Sequence, residues 1–284
     1  MSTEPRRVDA HHHVWDLAVR DQPWTVELPA LRRSFHFDDL APDLAAHGIA
    51  GTVLVQTITV AEETPEFLSL ADDHPEILGV VGWVDLTAPD VADAIAALRE
   101  GPGGRRLVGI RHQVQGEPDP EWLLRADVRR GLAAVADADL AYDLLVTAEQ
   151  LPAAVAVADR VAGLRWVLDH AGKPPIAAGE LDPWRKHITA LAANPAVACK
   201  LSGLVTEATA DWHDDDLAPY ADHVITSFGP ERVMFGSDWP VCLLHATYTQ
   251  VTAFVDSMTA ALDDAEQQAV WGGTATRWYR LPAG

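Results

Sequence analysis

The chain has 284 residues, 48% hydrophobic and 22% charged, enough apolar material to bury a sizeable core. Its 42 acidic against 21 basic residues give a formal charge of −21, a field that opposes polyanions and argues against nucleic acid as a partner. No apolar run nears the roughly 18 to 20 residues that span a bilayer, and M-S-T-E-P-R-R lacks the apolar stretch of a secretory signal. Cys199 and Cys242 make no disulfide framework, so a cytoplasmic protein with no membrane partner is expected.

Short β-branched and apolar runs predict strands at 8–13, 51–56, 78–85, 107–112, 141–146, 165–170, 196–202 and 233–237. Alanine- and leucine-rich stretches with helical spacing follow at about 38–47, 62–73, 89–100, 126–138, 149–162, 181–193, 215–227 and 246–262, with a ninth near 264–278. Strands alternating with helices imply a parallel sheet with right-handed crossovers. Eight repeats allow closure into a single (β/α)8 barrel domain over 1–284. An open doubly wound sheet is the runner-up, but neither a G-x-G-x-x-G after the first strand nor a phosphate-binding G-x-x-x-x-G-K-[ST] is present. The long segment 14–37 carries Trp15, Trp24, Phe35 and Phe37 and is expected to fold over the barrel mouth.

In such a barrel, chemistry gathers at the C-terminal strand ends. The first strand, in V-D-A-H-H-H-V-W-D, aims His11 and His13 at one side while His12 and Val14 turn away. Two convergent imidazoles suit a divalent metal or a polarised substrate oxygen. The later strands offer Gln56; Trp83 and Asp85; Arg111 and His112; Tyr142 and Asp143, nearer the start of their strand; Asp169 and His170; Lys200 and Ser202; and Ser237 and Asp238. Each has a blander reading. Asp238 could cap a turn, His170 could be packed at a strand edge, and Arg111 or His112 could serve a structural ion pair. Lys200 could snorkel to solvent, and Gln56 and Trp83 could simply pack.

D-A-H-H-H-V-W-D, G-I-R-H, L-D-H-A-G-K-P, K-L-S-G, F-G-S-D-W-P and W-G-G-T-A-T-R-W-Y-R-L span nearly the whole chain. Together they resemble the amidohydrolase superfamily, in particular its amidohydrolase-2 branch of sugar-acid and dicarboxylate lactonases. The resemblance implies a (β/α)8 barrel in which His11, His13, His170 and Asp238 surround a water and a substrate carbonyl. It implies one divalent metal on these four residues, zinc first, with metal-independent action as the alternative. Arg111-His112 and Tyr142-Asp143 stand where two-metal relatives carry a carboxylated lysine and a histidine, which disfavours a binuclear site. Thr274 replaces a common asparagine and is expected to affect a helix cap rather than chemistry.

The expected reaction is hydrolysis of a small lactone, with Asp238 as general base and His170 and Arg111 assisting as catalytic groups. His11, His13, Gln56, Trp83, His112 and Lys200 are expected to bind substrate. Trp15, Trp24, Trp83 and Trp239 offer flat faces for a sugar ring. A sugar lactone, such as an L-fucono- or L-rhamnono-lactone, suits the strand ends better than a pyrone dicarboxylate, because Arg111 and Lys200 are their cations; loop arginines Arg20, Arg32 and Arg33 could add to them. The alternatives are a pyrone-dicarboxylate lactonase, a metal-dependent non-oxidative decarboxylase, and a catalytically silent sugar-acid-binding barrel. The sequence leaves a homo-oligomer open.

Overall fold

Eight strands pair in parallel in chain order: β1 Arg7–His12, β2 Ile49–Val55, β3 Ile77–Gly82, β4 Leu107–His112, β5 Ala141–Leu144, β6 Arg165–Leu168, β7 Val197–Leu201 and β8 Val233–Phe235. They are described in a computed structural model covering residues 6–282, so the opening residues 1–5 of the leader stretch read above lie outside the described residues. Just past β8 a parallel bridge joins His12 to Trp239. Asp238 N donates to His11 O (2.8 Å) and His13 N to Trp239 O (2.7 Å), closing the barrel.

The helices are α1 Phe37–Ala46, α2 Glu63–Asp73, α3 Val91–Glu100, α4 Ala126–Asp137, α5 Leu151–Ala158, α6 Trp184–Ala192, the short α7 Leu204–Glu207, α8 Asp214–Phe228, α9 Tyr248–Thr259, α10 Asp264–Gln268 and α11 Thr274–Trp278. Side chains three residues into α1 and α8 fix their starts: Asp39 accepts from His36 N, and Asp216 from His213 N, each at 2.8 Å. Their apolar faces, such as Leu217, Ala221 and Val224 of α8, pack on the sheet.

Val8, Ala10, Val53, Val55, Val81, Ala141, Val167, Ala198 and Met234 fill the interior, joined by Ala275, Tyr279 and Leu281 from the C-terminal segment. That segment closes the end of the barrel opposite the loops. The expected ninth helix over 264–278 is instead broken into α10 and α11 by a wide turn at Ala269–Gly273, where an added Cβ on Gly272 would lie 2.1 Å from Arg6 O. Close approach of the first strand requires glycine there. Thr274 does not cap a helix: its hydroxyl donates to Glu231 O (2.9 Å), tying α11 to the segment before β8.

The strands end earlier than the apolar runs suggest. β3 stops at Gly82 rather than 85, β5 at Leu144 rather than 146, β6 at Leu168 rather than 170, and β8 at Phe235 rather than 237. Trp83, Asp85, Asp169, His170, Ser237 and Asp238 therefore lie in loops and turns just past the sheet, whereas His11, Arg111, His112, Asp143 and Lys200 remain within their strands. Among the described residues no helix is long and apolar enough to cross a membrane.

Candidate active site

A register shift in β1 between Asp9 and His12 places Ala10 and His11 both inward, adding one residue to the strict alternation. His12 then turns out to Thr52 Oγ1 (3.0 Å), and Asp9 turns out to Ser237 N (2.9 Å) and Tyr248 OH (3.1 Å). His13 returns to the interior. Its Nδ1 donates to Val55 O at 2.8 Å, which leaves the Nε2 lone pair free and pointed at the centre.

Around that lone pair lie His11 Nε2 at 3.1 Å and Asp238 Oδ1 at 3.5 Å. Asp238 Oδ1 is in turn 3.7 Å from His11 Nε2 and 3.9 Å from His170 Nε2. Asp238 adopts φ 57°, a left-handed conformation locked by Asp238 N to His11 O and by Cys242 N to Asp238 O (2.9 Å). The backbone thus turns the carboxylate in over the barrel axis. Gly236 allows this approach, since an added Cβ would lie 2.8 Å from that of His11.

His170 sits on a rarer turn. His170, Ala171, Gly172 and Lys173 all have positive φ (52°, 51°, 67° and 50°). Three of them are not glycine, and each costs about 1–2 kcal/mol in this region. Lys173 N donates to His170 O (2.9 Å), and the buried Trp184 indole donates to Ala171 O (2.7 Å). The turn aims the His170 ring inward, with Nδ1 paired to Ser202 Oγ at 2.9 Å. Gly203, at φ 65°, must lack a Cβ because one would lie 2.6 Å from His170 Nδ1. Gly203→Ala is expected to displace that ring. Tm should fall by about 1.7 °C for each kcal/mol lost, at an unfolding entropy of about 2.1 cal/mol/K per residue, and turnover should fall further than stability explains. Wild-type melting and turnover in this variant would contradict the packing described.

Beneath the imidazoles is a buried charged layer. Lys200 Nζ lies 2.6 Å from Asp143 Oδ2, 2.9 Å from Asp169 Oδ1 and 3.0 Å from His11 Nδ1. Tyr279 OH donates to Asp143, 2.8 Å from either oxygen. Arg111 NH1 donates to Asp169 Oδ2 (3.0 Å) and faces His11 Nε2 at 3.3 Å, while Gln56 Oε1 accepts from Arg111 Nε (3.1 Å) and NH2 (2.9 Å) and the Gln56 carbonyl accepts a further bond from NH2.

Burial, with the Lys200 charge second, holds His11 well below the ordinary imidazole range, and burial brings His170 down to about 4. Both rings are neutral at neutral pH. For Asp238, burial pushes upward but His170 and His13 outweigh it, and the carboxyl lies below its usual range. Asp143 is pushed up to about 6 by burial, against the pull of Lys200.

These residues fit a divalent cation. A tetrahedral ion with ligands at about 2.0–2.1 Å spaces its donor atoms about 3.3–3.4 Å apart, close to the separations among His11, His13 and Asp238. His11 Nε2, His13 Nε2 and Asp238 Oδ1 form one group able to hold an ion, and His11 with Asp169 and His170 forms a second that shares His11. Two fixed cations, Arg111 and Lys200, face three carboxylates, Asp143, Asp169 and Asp238, leaving negative charge uncompensated in a buried site.

Above lies a cavity of about 430 Å³, whose floor includes His13, Arg111, His170 and Asp238. Trp24 and Leu28 line its side, from the segment expected over the mouth. That segment is held by reciprocal backbone bonds between Trp15 and Phe35 (2.9 and 2.8 Å). A buried chain anchors Trp24: its indole donates to Gln22 Oε1 (2.8 Å), Gln22 Nε2 donates to Thr57 Oγ1 (2.8 Å), and Thr57 bonds Glu63. Trp24 is the single one of the four tryptophans expected to stack on a sugar that lines this cavity. A larger hollow of about 460 Å³, behind the same segment between α1 and α2, contains none of the candidate catalytic residues.

Several expected substrate contacts are elsewhere. Gln56 and Lys200 are fully buried and spend their polar atoms on Arg111 and on the carboxylates. Trp83 and His112 do not line the cavity: the Trp83 indole donates to His112 Nδ1 (3.0 Å), and His112 stacks on Trp122 and meets Glu117 (2.7 Å). Arg20 and Arg32 pair outside the cavity with Glu66 and Asp21, and Arg33 lies over Phe35. Asp143 and Asp169 were expected at strand ends but without a role, whereas Tyr279 was not singled out, nor were Lys173 and Glu207 on the cavity wall.

The sequence matches the family described as Amidohydrolase over residues 8–281. An L-fucono-1,5-lactonase of Burkholderia multivorans is 42% identical, over 97% of this chain and 96% of that protein. Two crystal structures of a Burkholderia multivorans amidohydrolase, one with bound HEPES and one with bound zinc, superpose with TM-scores of 0.92 and 0.91 at 41% identity, over 98% of this chain and all of theirs. Barrel, strand-end histidines and full-length match agree, and the chain belongs to the amidohydrolase family.

Proposed function

We propose that this protein is a lactonase that opens a sugar-acid lactone, an L-fucono-1,5-lactone or a close stereochemical relative first. The observation that carries the reading is one carboxylate, Asp238, held among the three imidazoles of His11, His13 and His170 at the foot of a cavity sized for a small ring. The full-length likeness to L-fucono-1,5-lactonases supports the substrate class.

Asp238 takes a proton from water as the water oxygen attacks the lactone carbonyl. Arg111, fixed by Gln56 and Asp169, places a permanent positive charge at the floor where the carbonyl oxygen becomes negative. His170, positioned by Ser202, lies on the same floor to orient the lactone and to assist the ring oxygen as it leaves, and the proton returned to that oxygen completes the hydroxy acid. His11, His13, His170 and Asp238 would hold a divalent cation, zinc first, which supplies Lewis-acid polarisation of the carbonyl when bound. Lys200 acts from below, keeping His11 and Asp169 in place.

A panel of aldonolactones, pyrones and hydroxybenzoates, followed with a pH indicator and by decarboxylation, tests the reading. Each lactone opened at neutral pH releases one proton, and the aldono-1,5-lactones are expected to give the largest signal. Running the panel with chelator and with added zinc, alongside metal analysis, reads the ion's part. Turnover of a pyrone dicarboxylate or a hydroxybenzoate with none of any aldonolactone would replace this assignment.

A further inference from the structure

The cost of the left-handed turn at His170–Lys173 is not explained by His170 alone. Lys173 also has positive φ (50°) and is carried by the same turn to the cavity wall. There its Nζ meets Glu207 Oε1, from α7, at 2.7 Å, with both side chains about three-quarters buried. An ion pair so close to solvent contributes little to stability and does not justify a strained backbone. Thr206, beside Glu207, lines the same wall, and Trp24 and Leu28 present apolar groups to the same space.

An ammonium and a carboxylate in contact offer donors and an acceptor side by side, the pattern that adjacent ring hydroxyls complement. We infer that Lys173 and Glu207 form the hydroxyl-recognition element of the site, binding neighbouring hydroxyls of the sugar-acid ring while its carbonyl lies over Asp238. The inference rests on the lactonase reading above and adds to it the groups that distinguish a polyhydroxylated ring from a bare one.

Lys173→Met, Glu207→Gln and Lys173→Arg test it against an aldono-1,5-lactone and against δ-valerolactone, which has the same ring without hydroxyls. The first two variants are expected to lose about 10- to 100-fold in kcat/KM on the aldonolactone, the size of a lost charge-assisted hydrogen bond. On δ-valerolactone they should stay within about threefold of wild type, and Lys173→Arg should recover much of the loss. Equal fractional losses on both lactones, or no loss on either, would overturn the inference. Glu207→Gln leaves the strained turn untouched, so it carries the test if Lys173→Met fails to fold.

Binding of a 1,5-anhydroalditol, a cyclic polyol without a carbonyl, separates this inference from the reaction assignment. If wild type opened no lactone but bound the anhydroalditol at least tenfold more tightly than Lys173→Met, hydroxyl recognition would stand and the lactonase reading would fall. Equal binding by the two proteins would overturn the inference itself.

Discussion

Replacing Asp238 with Asn is expected to lower kcat by between about 10² and 10⁴-fold, the usual contribution of a positioned general base, while lactone binding changes by no more than about threefold. The choice of Asn matters. Position 238 has φ 57°, and Asn is among the few residues that adopt that region readily, so the turn over the barrel axis persists. The bonds from Asp238 N to His11 O and from Cys242 N to the residue 238 carbonyl are backbone bonds and survive. What changes is the buried charge: an amide cannot take the proton from water, while Arg111 and Lys200 keep their own carboxylate partners. Because Asp238 Oδ1 also faces His11, His13 and His170 at 3.5–3.9 Å, metal analysis of both proteins separates loss of the base from loss of a cation. Turnover within threefold of wild type would remove Asp238 from the mechanism.

How far the sequence announces this site depends on which physical property a residue type reports. The barrel was legible because eight apolar runs alternate with amphipathic stretches, and only a closed parallel sheet buries them all. Strand ends were overrun because Val84, Leu145 and Val146 are as buried as strand residues yet lie in loops: an apolar run reports burial, not hydrogen bonding to a neighbour. The structure brings His11, His13, Arg111, His170 and Asp238 together, as expected of polar residues that end apolar strands and share one destination. His112 and Trp83 share that position but bond to each other behind the wall, a matter of direction that strand-end position does not encode. Asp143 carried a usable signal, since a carboxylate between buried Tyr142 and Leu144 shares the parity of Ala141 and needs a buried partner. Its partners, Lys200 and Tyr279, lie far away in sequence, and nothing local names them. The left-handed run at 170–173 was hidden altogether, because Ala and Lys do not ordinarily take positive φ.

Lys200→Met should show the largest stability loss of any single change beneath the site, about 3–5 kcal/mol, because it strips one partner from a fully buried charge cluster. With an unfolding entropy of about 2.1 cal/mol/K per residue, that loss is a fall in Tm of about 5–8 °C. Asp143 would keep the Tyr279 hydroxyl but lose its cation, and Asp169 would keep Arg111. The sign of the pH dependence follows. Burial already raises Asp143 to about 6, and removing the ammonium raises it further. A carboxyl whose folded pKa lies above its unfolded value of about 3.9 costs stability once pH exceeds the unfolded value, and the cost grows until the folded pKa is passed. The Tm gap between variant and wild type should therefore be small near pH 4–5 and widest at pH 8. Adding Asp143→Asn removes the carboxylate that Lys200 had compensated, so the double variant should regain part of the loss and flatten that dependence. Thermal melts of wild type, Lys200→Met and the double variant across this pH range check both points. A Lys200→Met protein as stable as wild type at pH 8, or a gap that narrows as pH rises, would mean that Asp143 takes its charge compensation from a group other than Lys200.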